Sequence, residues 1–503
     1  MNQKNNFKNN LSNSNFIRLL QNFTKKEIAE FMNFISSPFF NNQKTLIRLF
    51  SEIKKYYPNF TDKKFTKELL FDSVNPGKIY NDTVFRKYIS NLMKLTEDYL
   101  IVKENLNNEE RKNLSLLNQL ERKNLFPFFN KIINRNNGES SNAVKHRISS
   151  ETFYYCHFKE ELKSNLAIRS NNLHLLKPSL VSSQKYLLLY LLLTSVVNGN
   201  MLMVNRNSFK EQKNNKMVED FFDYFDMINY LEMSGQLNEH EKLFIELCRN
   251  DIVLLKNPYN INVIKMMKNN ILGLTEYLDK NLLYVFFSHL NIYYLINISG
   301  GKPELNIDLL DNYKLMLKME LYFYEGVRYI NFSEYKTILL LALRLKEYKW
   351  SLEFIDRFKN HHAAEMKQDI YNFSLAFLNF EEGKFDESLK HLSEIKINDL
   401  IFKLDCDVLK LLVYYELNYF DSANSLLDSF KYFVKKNTIL SDNAKKIQFD
   451  FIKYFKEALK YKISGSISDY DYDRLKKELS EKTTLKRKSW FLEKLKSLYD
   501  SQK

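Results

Sequence analysis

The chain has 503 residues, 75 Lys+Arg against 61 Asp+Glu, and only 10 glycines and 7 prolines. Glycine and proline together fall far below the roughly 12% of an average chain. That shortage excludes glycine-rich phosphate cradles, tight-turned β-sandwiches and collagen-like repeats, which need more of both residues. At 45% hydrophobic and 15% aromatic, the chain has ample material for a core and is no disordered segment.

The charge is uneven. Residues 1–135 hold 23 Lys+Arg and 13 Asp+Glu, a net +10, whereas residues 136–503 hold 52 and 48, a net +4. Only 15 of the cations are Arg and 60 are Lys. Arg makes the bidentate contacts to phosphate and base, so the basic balance is a weak pointer to nucleic acid. Cys156, Cys248 and Cys406 are odd in number and lack any CxxC spacing, which predicts buried free thiols in a reducing compartment rather than zinc or disulfides.

Taken in chain order, Met1 to Asn15 is polar and Asn-rich, without the apolar core of a secretory signal. Residues 16–101 read as four or five helices. Thr24 and Glu27 form a capping box, and Ser36-Ser37-Pro38-Phe39-Phe40-Asn41 breaks the chain. The segment Phe34–Asn41 resembles the opening of a set of bacterial helical proteins, a resemblance that implies no activity. Asn75-Pro76-Gly77 is a turn, and Asn81-Asp82-Thr83 caps a long helix. Its apolar face is Val84, Phe85, Tyr88, Ile89, Leu92, Leu95 and Tyr99. Its polar face carries Arg86, Lys87, Ser90, Asn91 and Lys94, the candidate nucleic-acid face of a helix-turn-helix-like unit. The turn from Asp72 to Tyr80 is longer than the 3–4 residues of that motif, which counts against it.

Two apolar stretches follow. Tyr186–Val197 falls short of the ~20 residues that span a bilayer, and Leu282–Ile298 carries Ser288, His289 and Asn291 in its middle. Both read as buried helices, and the expectation is a soluble, cytoplasmic protein. Asn134–Asn142, Asn198–Lys216 and Ser299–Pro303 have the composition of exposed loops. They divide the chain into a basic helical domain (1–135), a middle helical region of degenerate hairpins (143–298) and a C-terminal array with capping helices (304–503).

The C-terminal array carries the strongest signal. No proline follows Pro303, and short polar breaks punctuate helical periodicity. Tyr348, Phe385 and Phe420 stand 37 and 35 residues apart. Three residues after each comes a small side chain (Ser351, Ser388, Ala423), and four later an aliphatic (Ile355, Leu392, Leu427). The aromatic opens a second helix, the small residue permits close approach at a crossing, and the aliphatic faces the same seam one turn on. A period near 35 residues is that of stacked helical hairpins.

With Gly383-Lys384-Phe385-Asp386-Glu387-Ser388-Leu389 across its turn, the middle copy resembles the tetratricopeptide repeat. Tyr335 and Tyr414 occupy typical first-helix aromatic positions in the other two copies. Asn372 replaces an aromatic, and no copy ends in the customary proline. The resemblance covers 332–430 and implies partner binding in a concave groove lined by first helices. The implied groove residues are Lys336, Leu340 and Arg344, then Phe373, Phe377 and Glu381, then Asp405, Leu412 and Glu416.

Catalytic chemistry is absent from the motifs. The adjacent His361 and His362 point about 100° apart on a helix, and neither HExxH, a P-loop, GxSxG nor a dinucleotide fingerprint occurs. Cys156 and His157, as helix neighbours, cannot face one another. No metal or cofactor site is expected. The expectation is an all-α protein, a helical N-terminal domain followed by a helical-hairpin solenoid. It would act as a non-catalytic interaction scaffold for a protein or peptide partner. The alternative is a regulator whose N-terminal unit binds nucleic acid while the solenoid senses a partner. Trp490 and Phe491 are candidates either for self-association or for burial beneath the last helix.

Overall fold

A computed structural model describes residues 11, 14–62, 64–139, 147–170, 173–208, 227–322, 330–363, 365–396, 400–482 and 485–502. These residues form an all-α structure of helices packed in adjacent pairs, with no strand among them. The chain divides into two compact units, Met1–Gly138 with Tyr155–Ser183, and Glu139–Tyr154 with Gln184–Lys503.

The first unit opens with α1 (Asn15–Gln21), α2 (Lys25–Ser36), α3 (Lys44–Lys54), α4 (Lys67–Val74) and the 26-residue α5 (Asp82–Asn107). Thr24 closes the start of α2 with the expected box: its hydroxyl accepts from the Glu27 N–H while Glu27 accepts from the Thr24 N–H at 2.7 Å. Gly77 turns left-handed between α4 and α5 at φ 76°. The apolar stripe of α5 then buries Phe85, Leu92 and Tyr99 with Phe31 and Phe50 in one aromatic-rich core. Lys103 at its far end bonds both Glu27 and Glu30, tying α5 to α2 at 3.1 and 2.9 Å. Helices α6 (Glu109–Arg122) and α7 (Phe126–Glu139) share a second, smaller cluster, in which Leu117 and Phe129 meet Leu162 and Leu166.

Two helices follow, α8 (Ser150–Arg169) and α9 (Leu176–Ser208). The second unit then runs through α10 (Met227–Met233), α11 (Glu239–Lys256), α12 (Ile261–Gly273), α13 (Lys280–Ser299) and α14 (Asn306–Lys318). Three helix pairs come next: α15 (Phe332–Arg344) with α16 (Tyr348–Phe358), α17 (Lys367–Glu381) with α18 (Phe385–Glu394), and α19 (Leu400–Glu416) with α20 (Phe420–Lys436). Helices α21 (Asp442–Ser464), α22 (Asp469–Glu481) and α23 (Lys488–Asp500) close the unit. One apolar cluster runs from Ile148 to Leu495, so the Ser299–Pro303 break is a turn inside this unit. The Asn134–Asn142 and Asn198–Lys216 breaks fall partly outside the described residues, and their described parts are helical rather than loop, the ends of α7 and α9.

The three pairs follow the repeat that the spacing predicts. Tyr348, Phe385 and Phe420 are each the first residue of a second helix. Ser351, Ser388 and Ala423 are closed to solvent, and Ile355, Leu392 and Leu427 are buried beside them. The Ser388 hydroxyl donates to the Ala376 carbonyl at 2.7 Å, so the small residue stands where two helices cross. The turns are alike too. Lys346, Gly383 and Asn418 sit left-handed at φ 61°, 79° and 60°. The next N–H reaches back over the helix end each time: Glu347 to Ala342 at 3.0 Å, Lys384 to Asn379 at 2.8 Å, Tyr419 to Tyr414 at 2.9 Å. That bond satisfies a carbonyl the helix end leaves open. First helices of neighbouring pairs also touch, α15 with α17 and α17 with α19, and so form one face.

Two helices are long and apolar enough to cross a membrane by length and composition, Leu173–Gly199 and Lys280–Ser299. In the second, two of the polar residues that interrupt the apolar run, His289 and Asn291, are buried and bonded. His289 Nδ1 lies 2.8 Å from Asp251, and the Asn291 carbonyl oxygen accepts from Asn312 at 2.6 Å. These contacts suit a helix packed within a bundle.

Candidate functional site

The expected groove residues lie on or beside the face of α15, α17 and α19. Phe373, Phe377 and Leu412 are buried in the chain as it stands, with Arg487 lying over the Phe377 ring. Phe373 meets Phe332 edge-on at 5.6 Å and lies tilted against Phe402 at 4.9 Å, from the helices on either side. Burying such a ring stabilises by about 2–3 kcal/mol, so these aromatics hold the pairs together. Leu340 is half-buried against the same core, and Arg344 is exposed at the end of α15.

The charged positions form an ion-pair network. Asp405 on α19 accepts from Lys336 of α15 at 2.6 Å and from Lys486 at 3.0 Å. Burial alone would raise the Asp405 pKa. Lys486 and Lys336 outweigh it and hold the carboxyl below its ordinary range. Glu381, at the end of α17, pairs with Arg487. The guanidinium of Arg487 also covers the rings of Phe377 and Phe380, 5.4 and 5.5 Å from their centres. Glu416, at the end of α19, accepts the indole N–H of Trp490 at 2.8 Å and pairs with Lys494 at 2.9 Å.

Lys486, Arg487, Trp490 and Lys494 belong to the start of α23 and the turn before it. The segment bonded to this face is therefore the chain's own, reaching back over two of the repeat pairs. Trp490 and Phe491 are buried, Trp490 edge-on to Tyr415 at 4.9 Å. Reading repeats by spacing finds the three carboxylates. It also finds Lys336, but not the partners from Lys486 to Lys494, which lie far along the chain and outside the repeat.

The polar face of α5 is placed as its periodicity predicts. Arg86, Lys87, Ser90 and Lys94 are exposed and Asn91 is half-buried. Arg86 is engaged by Asp82 at 2.6 Å, and Asn91 donates to Gln43 at 3.4 Å, at the start of α3. Asp82 also accepts from Tyr80 and lies 3.7 Å from Lys67, which binds the α4–α5 connection into a fixed bend.

One buried cluster joins residues that no sequence motif connects. Asp251 bonds His289 at 2.8 Å and Tyr293 at 2.6 Å, across 38 and 42 positions of sequence. Asp251 is fully buried and His289 is 5% exposed, so the cluster has no access for a substrate and serves as a polar tie between α11 and α13. Cys156, Cys248 and Cys406 are all free thiols, and Cys156 and Cys248 are buried. Among the described residues, no group of three His, Cys, Asp or Glu side chains could hold a metal ion. Comparison of the chain with protein-family models, curated proteins and solved structures gives no match.

Proposed function

We propose that the chain is a non-catalytic interaction scaffold of the cytoplasm whose tetratricopeptide-like face, formed by the first helices of the repeat pairs, binds a segment of a partner protein. One observation supports the reading above the others. Glu381, Asp405 and Glu416 already hold the cations and the indole of a segment lying outside the repeat. The face thus combines what segment recognition uses: charged anchors on neighbouring first helices, beside aromatic rings.

The test is capture of partners by the tagged full chain from native lysate, repeated after nuclease treatment and in parallel with a Glu381→Gln/Asp405→Asn/Glu416→Gln variant. A protein partner kept through nuclease and lost in the variant is the expected result. Loss of all bound material on nuclease treatment would overturn the reading. It would point instead to the surface around Lys87 and Lys94.

A further inference from the structure

The segment that occupies the repeat face has the form of a ligand. Trp490 and Lys494, four residues apart, share one face of α23, Arg487 stands at the helix's N-terminal cap, and each of the three contacts a carboxylate of the face. Lys486 supplies the fourth contact, to Asp405.

The fit carries its own opposition. Without the segment, the carboxylates Glu381, Asp405 and Glu416 stand among the cations Lys336, Arg344 and Lys462, three against three. The segment adds four cations, Lys486, Arg487, Lys488 and Lys494, and one anion, Glu493, a net of three positive charges. Arg487 comes within electrostatic reach of Arg344, and Lys494 within reach of Lys462. Arg487 itself sits left-handed at φ 59°, a conformation that strains a residue with a Cβ. The backbone strain at Arg487 weakens the docked state and would be relieved on release.

We propose that residues 485–494 are an internal ligand of the face and that the partner is a helical segment of the same chemistry. Such a segment carries a cationic pair, an aromatic residue three positions after the second cation, and a further cation four positions on. It displaces the internal copy to bind. This rests on the scaffold reading and names the partner chemistry and the regulation of the same site: the chain's own segment lowers the fraction of molecules open to a partner.

The probe is a fluorescein-labelled synthetic peptide of residues 485–500, titrated with the full chain and followed by anisotropy. Lys486→Ala/Arg487→Ala/Lys494→Ala in the full chain loosens the internal copy. The peptide should then bind about tenfold more tightly than to wild type, because the open fraction rises. Adding Glu381→Gln/Asp405→Asn/Glu416→Gln should abolish that binding. Equal affinity for wild type and the loosened variant would overturn the proposal and make α23 a permanent cap.

A second measurement uses the chain with Trp350→Phe and fluorotryptophan at Trp490, so that a single fluorine resonance reports the docked indole. Excess unlabelled peptide should move that resonance to its solvent-exposed position. A resonance unmoved at saturation would overturn the proposal, even if the loosened variant failed to fold. Failure of the scaffold reading looks different: the peptide exchanges with the internal copy, yet no protein partner is captured.

Discussion

Trp490 donates its indole N–H to the carboxylate of Glu416 at 2.8 Å, across 74 positions of sequence. Lys494 closes on the same carboxylate from the next turn of α23. One acidic side chain at the end of a repeat helix therefore anchors both the polar tip of a buried aromatic and a cation. Replacing Glu416 with Ala leaves the indole N–H without its acceptor, takes the nearer of two carboxylates from Lys494, and removes the anion beside Lys462. The expected cost is about 2–3 kcal/mol, read as a lower urea midpoint at unchanged m value.

The crossing of α17 and α18 tolerates loss of polarity better than gain of volume. Ser388 is fully buried and bonded to the Ala376 carbonyl. Ser388→Ala removes one neutral hydrogen bond and should cost about 1 kcal/mol. Ser388→Leu must push the helices apart and should cost about 3 kcal/mol or more. Thermal melts that rank the two variants in the opposite order would refute the close-crossing account.

The three left-handed turn residues give a further test. Gly383 has open space around the site of a Cβ, so Gly383→Ala meets no clash and costs only the backbone strain, about 1 kcal/mol. Lys346 and Asn418 pay that strain already. Lys346→Gly should raise stability by about 0.5 kcal/mol, the strain relief being partly offset by the freer unfolded chain. The melting temperatures of the two variants should move in opposite directions.

His362 sets an acid-side limit. It is 2% exposed and lies edge-on to Tyr335 at 4.7 Å. Burial, with the neighbouring His361 and Lys367, pushes its imidazole down to about 4. The unfolded chain takes up that proton nearer pH 6.5. Between these values the unfolded state binds more protons, so stability is intact above about pH 6.5 and declines as the pH falls toward 4. His362→Phe should flatten this part of the stability profile.

Asp405 acts at lower pH. Its carboxyl is held below the ordinary range by Lys486 and Lys336 despite burial. The stability it contributes is present above the unfolded carboxylate value near 3.9 and is lost as the pH falls through the depressed folded value. The emission of Trp490 in a Trp350→Phe chain should shift to the red over that acid range. An Asp405→Asn chain should already show part of the shift at neutral pH.

The phase of the repeat was legible in the sequence because everything that sets it is local. An aromatic, a small residue and an aliphatic at offsets of three and four lie on one stripe of a single helix, so their spacing specifies a close crossing wherever the helix goes. The same holds for the Thr24 box and the α5 stripe. Lys346, Gly383 and Asn418 share one turn position because each pair closes by the same backbone bond. What the sequence by itself determined, then, is the all-α class, the pairing of helices and the place of each turn.

The occupancy of the face was decided only by the tertiary structure. Phe373 and Phe377 stand one turn apart on α17, a spacing shared by residues that line an open groove and residues that pack under a neighbour. Only the arrival of Phe332 and Phe402 beside Phe373 settles which. Glu381 and Arg487 are 106 positions apart, and Asp405 and Lys486 are 81. Helical periodicity carries no information over such separations: it says which side of a helix is apolar or charged, and folding of the whole unit selects the partner that side receives.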